Sequence, residues 1–154
     1  MLLNDIAAGA HLQAEYNMLQ FSVEPIEPGL SVNVDQQLLA SAVTNLLSNA
    51  FKYTPRGGQV IMRARATGRS VAIEVEDSCG GIPEGTGDLF APFAERRGTN
   101  RTGLGLGLSI ARRAVRAHGG DIEVRNRPGK GCTFVINVPA ADSVSTAADS
   151  MGAR

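Results

Sequence analysis

The segment from Asp35 to Tyr53 constrains the fold more than any other part of the chain. Leu38, Leu39, Ala42, Val43, Leu46, Leu47 and Ala50 recur there at helical spacing, so one side of a long helix must be covered by a second layer. Asp35 stands where it can cap the first turn, and Thr54-Pro55-Arg56-Gly57-Gly58 cannot continue the helix.

The rest of the sequence supplies that second layer. β-type runs at Val60 to Ala66 and Val71 to Glu76, joined by Thr67-Gly68-Arg69-Ser70, predict an antiparallel hairpin. Asp121 to Arg125 and Thr133 to Val138 predict two more strands around Pro128-Gly129-Lys130-Gly131. Shorter extended stretches are expected at Leu19 to Val23 and Ser31 to Val34. Further helices are expected at residues 3 to about 17, through Leu3, Ile6, Ala7, Ala10 and Ala14, and from about Leu106 to His118, ending at Gly119-Gly120. Three helices on one face of a mixed, mostly antiparallel sheet of about five strands make an α+β fold, a two-layer α/β sandwich. On this reading residues 1–139 form one domain, and residues 140–154, rich in Ala, Ser and Asp without periodicity, form a disordered tail. The polar run from Asp88 to Thr102, broken by Pro92 and Gly98, reads as a mobile loop anchored by Phe90 and Phe93.

Composition narrows function by exclusion. The 154 residues carry 15 Lys plus Arg against 15 Asp plus Glu, which gives no electrostatic reason to expect nucleic acid or an anionic membrane as partner. Any anion site must be local. The two cysteines, Cys79 and Cys132, form neither a disulfide framework nor a zinc-type spacing, which fits a reducing cytoplasm. No apolar run nears the roughly 20 residues that span a bilayer, although a longer parent protein could be membrane-anchored through other segments.

Three features carry chemistry. Asn45, Asn49 and Lys52 stand at i, i+4 and i+7 of the long helix and share one narrow strip. Such a strip can simply face water, or it can aim an oxygen ligand and an ammonium at a metal-bound polyphosphate. Asp77 ends a β run just before Cys79-Gly80-Gly81-Ile82-Pro83; it can be a plain turn residue, or a carboxylate that accepts from an exocyclic amine. Thr102-Gly103-Leu104-Gly105-Leu106-Gly107-Leu108 leads into a helix, where unpaired backbone N–H groups favour phosphate; otherwise it is a hinge. It matches neither a Walker loop nor GxGxxG.

Together and in this order, the three features resemble the ATP-binding catalytic domain of bacterial sensor histidine kinases, in the GHKL ATPase superfamily. Asn45 to Pro55 is similar to the family's asparagine box, Asp77 to Gly81 to its first glycine box, Phe90-Ala-Pro-Phe93 to its phenylalanine box and Gly103 to Leu108 to its second glycine box. His118-Gly119-Gly120 and Gly129 to Phe134 are similar to its closing strands, and the likeness covers roughly residues 30 to 139. The resemblance implies Mg²⁺-ATP: Asn49 as metal ligand, Asn45 and Lys52 as phosphate contacts and catalytic residues, and Tyr53 beside the nucleotide. It implies Asp77 on the adenine amine, with Gly81 and Ile82 lining the base pocket. Gly103, Leu104, Gly105, Leu106, Gly107 and Leu108 would hold phosphate after Thr102, and Phe90, Phe93, Thr133 and a lid arginine, Arg97, would complete the nucleotide site. Cys79 stands where the family usually has glycine, and Ser48 where many relatives carry an acidic residue.

Relatives that hydrolyse ATP place a glutamate four residues before the metal-binding asparagine; here that position is Asn45, which cannot act as a base. The resemblance therefore implies transfer of the γ-phosphoryl group to a histidine on a separate dimerisation and phosphoacceptor domain, expected to precede Met1, and indirectly to a response regulator. His118 reads as structural, and His11 lacks the acidic residue and proline that follow the family's phosphoacceptor. The isolated domain is expected to be monomeric and cytoplasmic. The alternatives are a degenerate ATP-binding or partner-binding module without phosphotransfer, and an anti-sigma-type serine kinase.

Overall fold

The computed structural model describes residues 2–26, 29–79, 90 and 107–141. In chain order these form α1 (Leu2–Tyr16), β1 (Gln20–Val23), α2 (Gln36–Tyr53), β2 (Gln59–Thr67), β3 (Ser70–Asp77), α3 (Gly107–Ala117), β4 (Asp121–Arg127) and β5 (Gly131–Pro139). The five strands make one sheet in the order β1-β2-β3-β5-β4. The β1–β2 pair is parallel and the other three are antiparallel. The expected architecture of three helices and a mixed, mostly antiparallel sheet is the one observed.

Local chemistry sets the elements. Asp35 caps α2 as expected: its carboxylate accepts from the Gln37 and Leu38 N–H groups at 2.8 and 3.1 Å, two of the donors a helix start leaves unpaired. The β2–β3 hairpin turns through Gly68 and Arg69 between the paired residues Thr67 and Ser70. Gly68 adopts φ +64 there, a conformation glycine takes without steric cost.

The apolar stripe of α2 faces the sheet from Leu39 onward, while Leu38, expected in the stripe, is exposed in the first turn. Val43, Leu46 and Ala50 are fully buried with Val60, Met62, Ile73, Val75, Phe134 and Ile136, and α1 and α3 flank α2 on the same side. Each fully buried aliphatic of this kind contributes about 1.5–3 kcal/mol relative to exposure. An edge-on chain of rings, His11 on Phe21 at 4.8 Å and Phe21 on Phe51 at 5.6 Å, ties α1 and β1 to α2.

The opposite face of the sheet carries ion pairs across the strands. Arg63 reaches Glu24, Glu74 and Glu76, Arg65 reaches Glu74, and Arg127 reaches Glu76. Burial pushes the Glu74 and Glu76 carboxyls up, but the arginine hydrogen bonds and charges outweigh it and hold both below the usual carboxylate range.

Ser31 to Val34 does not form the expected strand. Val32 makes a single bridge to Ala140, and Asn33 N–H donates to the Pro139 carbonyl at 3.0 Å. Helix capping by Asp35 takes the chain over directly, so the ladder cannot extend. The expected loop from Asp88 to Thr102, Phe90 excepted, and residues 142–154 of the expected tail lie outside the described residues.

Candidate functional site

Asn45, Asn49 and Lys52 lie half-buried along α2, beside the buried stripe of Leu46, Leu47 and Ala50. The helix that follows the glycine run meets this strip: a Cβ built on Gly107, the first residue of α3, would lie 3.7 Å from both Cγ and Oδ1 of Asn45. The described start of α3 thus adjoins the polar strip. Leu108 packs against the core, which fixes the first turn of α3.

Among the described residues the Asn49 amide nitrogen, Nδ2, is left unsatisfied: it is buried and has no hydrogen-bond partner there. Leaving a buried donor unpaired costs about 1–3 kcal/mol, so this amide nitrogen calls for an acceptor oxygen. Lys52 holds its ammonium 5.3 Å from the centre of the Tyr53 ring.

Asp77 ends β3 on the helix-covered face and is 1% exposed. Its Oδ1 accepts from the Cys79 N–H at 3.1 Å and the Cys132 N–H at 3.4 Å, which fixes the carboxylate at the end of the sheet. Gly131 makes this approach possible, since a Cβ there would collide with the Asp77 carbonyl oxygen.

Thr133, expected to complete the nucleotide site, lies on the opposite face of the sheet from Asp77. Directly opposed residues of an antiparallel pair share a face, and the register sets Cys132 opposite Asp77 and Thr133 opposite Glu76. Thr133 therefore lies on the ion-pair face with Glu76 and Arg125, and Cys132 lies beside Asp77 on the other face. Cys132 was missed, although counting back by two from the apolar Phe134 would have put it on the core face.

Phe90 serves as an anchor. It is 9% exposed, packs edge-on to Phe134 at 6.2 Å and lies under the Arg112 guanidinium at 4.5 Å. Arg112 and Arg116 of α3 also bind Asp121 of β4 at 3.1 and 2.9 Å. The Arg116 hydrogen bond leads, and with Arg112 it outweighs partial burial to hold the Asp121 carboxyl down at about 2. This bridge pins α3 to the sheet. His118 Nδ1 lies 3.1 Å from the Ala114 carbonyl, four residues back in the chain.

Gly81, Ile82, Phe93, Arg97, Thr102, Gly103, Leu104, Gly105 and Leu106 lie outside the described residues. No helix among the described residues is long and apolar enough to cross a membrane.

Residues 34–142 match the family described as histidine kinase-, DNA gyrase B-, and HSP90-like ATPase. The alginate biosynthesis sensor protein KinB of Pseudomonas aeruginosa is 38% identical over 109 residues, which are 70% of this chain and 18% of KinB. The catalytic domain of histidine kinase ThkA superposes with a TM-score of 0.76 at 27% identity, covering 90% of this chain and 91% of that domain. ThkA in complex with the response regulator protein TrrA gives 0.74 at 26% identity, over 91% of this chain and 40% of that one. Full-length ShkA in complex with AMPPNP gives 0.78 at 27%, over 91% of this chain and 29% of ShkA. The matched part of the chain spans between 11% and 33% of the length of the curated relatives.

Proposed function

The chain belongs to the histidine kinase-, DNA gyrase B-, and HSP90-like ATPase family, as a catalytic domain of the sensor histidine kinase type, and we propose that it binds Mg²⁺-ATP for phosphoryl transfer. The acceptor in this reading is a histidine on a separate dimerisation and phosphoacceptor domain of the same parent protein, and a response regulator is the indirect recipient. The observation that carries the proposal is the polar strip of Asn45, Asn49 and Lys52, set against Gly107 of α3, with a buried Asn49 amide donor that lacks an acceptor among the described residues.

The residues present fit the group. A side-chain amide oxygen suits a hard cation such as Mg²⁺, which takes oxygen ligands and keeps waters and substrate phosphates as the others. When bound, the ion would neutralise charge on the phosphates. Asn49 would supply the protein ligand, and Asn45 and Lys52 would donate to phosphate oxygens. The first turn of α3, at Gly107, would offer main-chain N–H groups to the same phosphates, with Tyr53 beside the nucleotide. Asp77, an acceptor fixed by two main-chain donors, would receive the adenine amino group. Gly81, Ile82, Gly103 and Gly105 join the site by family likeness alone, as do Phe93, Arg97, Thr102, Leu104 and Leu106.

A carboxamide at position 45 cannot act as a general base, so the chain itself orients the phosphates and leaves nucleophile activation to the acceptor domain. Calorimetry with ATP, with and without magnesium, tests the reading. Saturable, magnesium-dependent heat is expected; no heat and no melting shift at millimolar nucleotide would refute it.

A further inference from the structure

Two thiols 53 residues apart in sequence meet at Asp77. Cys79 Sγ and Cys132 Sγ are 4.0 Å apart, and Cys132 Sγ lies 3.4 Å from Oδ2 and 3.6 Å from Oδ1 of Asp77. One ligand atom from each of the three residues falls within 4.8 Å of the other two. A tetrahedral zinc ion with Zn–S near 2.3 Å and Zn–O near 2.1 Å requires edges of about 3.8 Å between sulfurs and about 3.6 Å between sulfur and oxygen. The spacings of Cys132 Sγ to Cys79 Sγ and to the Asp77 carboxylate are close to those edges. The cluster is also held from both sides, because Asp77 and Cys132 sit on paired strands and the Cys79 and Cys132 N–H groups both bind Oδ1. Oδ2 receives only the Cys132 thiol among the described residues.

We propose that Asp77, Cys79 and Cys132 form a binding site for a thiophilic divalent cation of the zinc class, and that its occupation competes with adenine for the Asp77 carboxylate. Among the described residues three ligands leave the fourth tetrahedral position open, on the side where Cys79 is partly exposed. Two thiolates and a carboxylate favour a borderline-soft ion over magnesium, so this site and the Asn49 strip select different metals. Binding converts both thiols to thiolates and releases their two protons to solvent. The competition rests on the adenine role proposed above for Asp77; the cation site does not.

Cobalt(II) stands in for zinc and reports thiolate ligation by a sulfur-to-metal charge-transfer absorption. With a non-thiol reductant and no nucleotide, the chain should bind one equivalent of Co²⁺ with that absorption, and Zn²⁺ should remove it by displacement. Cys79→Ala changes only a partly exposed side chain and should weaken Co²⁺ binding at least about tenfold while circular dichroism stays that of the wild type. No thiolate band in the folded wild type, or an unaltered band in Cys79→Ala, would overturn the site. Magnesium-ATP affinity is then measured with and without Zn²⁺ for both proteins. Zinc sequestered by ATP itself weakens both equally, so only an extra loss in the wild type supports competition, and equal losses refute it. Failure of the wild type to bind magnesium-ATP without zinc would count against the proposed function alone, since the cobalt spectrum needs no nucleotide.

Discussion

Gly131 lies so close to Asp77 that a Cβ on the glycine would meet the Asp77 carbonyl carbon at 2.9 Å and the Ser78 Cα at 3.1 Å, and would collide with the Asp77 carbonyl oxygen. The β3–β5 pair therefore closes at this end only around a glycine. Gly131→Ala should lower stability by about 1–3 kcal/mol, the usual effect of overpacking, read as a lower urea midpoint. Nucleotide affinity should fall with it, because the displaced backbone carries the Asp77 carboxylate. An unchanged midpoint would show that the strand end yields without cost.

Asp77→Asn tests the adenine contact. A carboxylate only accepts, whereas an amide can turn its NH₂ toward the adenine amine. Loss of a hydrogen bond to a charged group is worth about 1.5–3 kcal/mol, so ATP affinity should fall roughly tenfold or more in calorimetry, and discrimination against GTP should shrink. A variant that binds both nucleotides as the wild type does would remove Asp77 from base recognition.

Asn49→Leu should separate stability from binding. The buried amide nitrogen has no partner among the described residues, so an apolar replacement of similar size removes an unsatisfied group. In the absence of ligand its melting temperature should equal or exceed that of the wild type, while magnesium-dependent ATP binding is lost. A marked drop in melting temperature would mean that Asn49 serves the fold instead.

Acid should loosen the hold of the sheet on α3. The Asp121 carboxyl is depressed from 3.8 to about 2, first by the Arg116 hydrogen bond, so its contribution is complete above the unfolded value and is lost as pH falls through the folded one. Glu74 and Glu76, also depressed, act with the same sign. Asp121→Asn should therefore lower the melting temperature near neutral pH, and the gap to the wild type should close as pH falls from about 4 toward 2. Because the Asp121 side chain is 51% exposed, the effect should be small and should shrink further in salt. A gap independent of pH would assign the loss to packing.

Incubated alone with labelled ATP, the chain should hydrolyse it slowly and retain no acid-labile label. His118 is taken up by its own helix end, and exposed His11 packs against Phe21. Adding the parent's phosphoacceptor domain should start transfer, because it supplies a nucleophile in line with the γ-phosphate. Label on His11 or His118 of the isolated chain would contradict this.

Whatever depends on near neighbours was legible in the sequence. The α2 stripe, its Asp35 cap, the β2–β3 hairpin and the polar strip of Asn45, Asn49 and Lys52 follow from periodicity and capping chemistry, which act within a few residues. Asp77 could be placed at a strand end for the same reason. Tertiary structure decided what depends on pairing between distant segments. The strand period is two, so one step of register separates Cys132 beside Asp77 from Thr133 on the ion-pair face, and only the closure of β5 on β3 around Gly131 fixes that step. The same closure brings Cys79 to Cys132, a pair whose sequence spacing resembles no metal motif. Packing of α3 against α2 and its tether to Asp121 set Gly107 against Asn45, a contact between residues 62 positions apart that no local rule specifies.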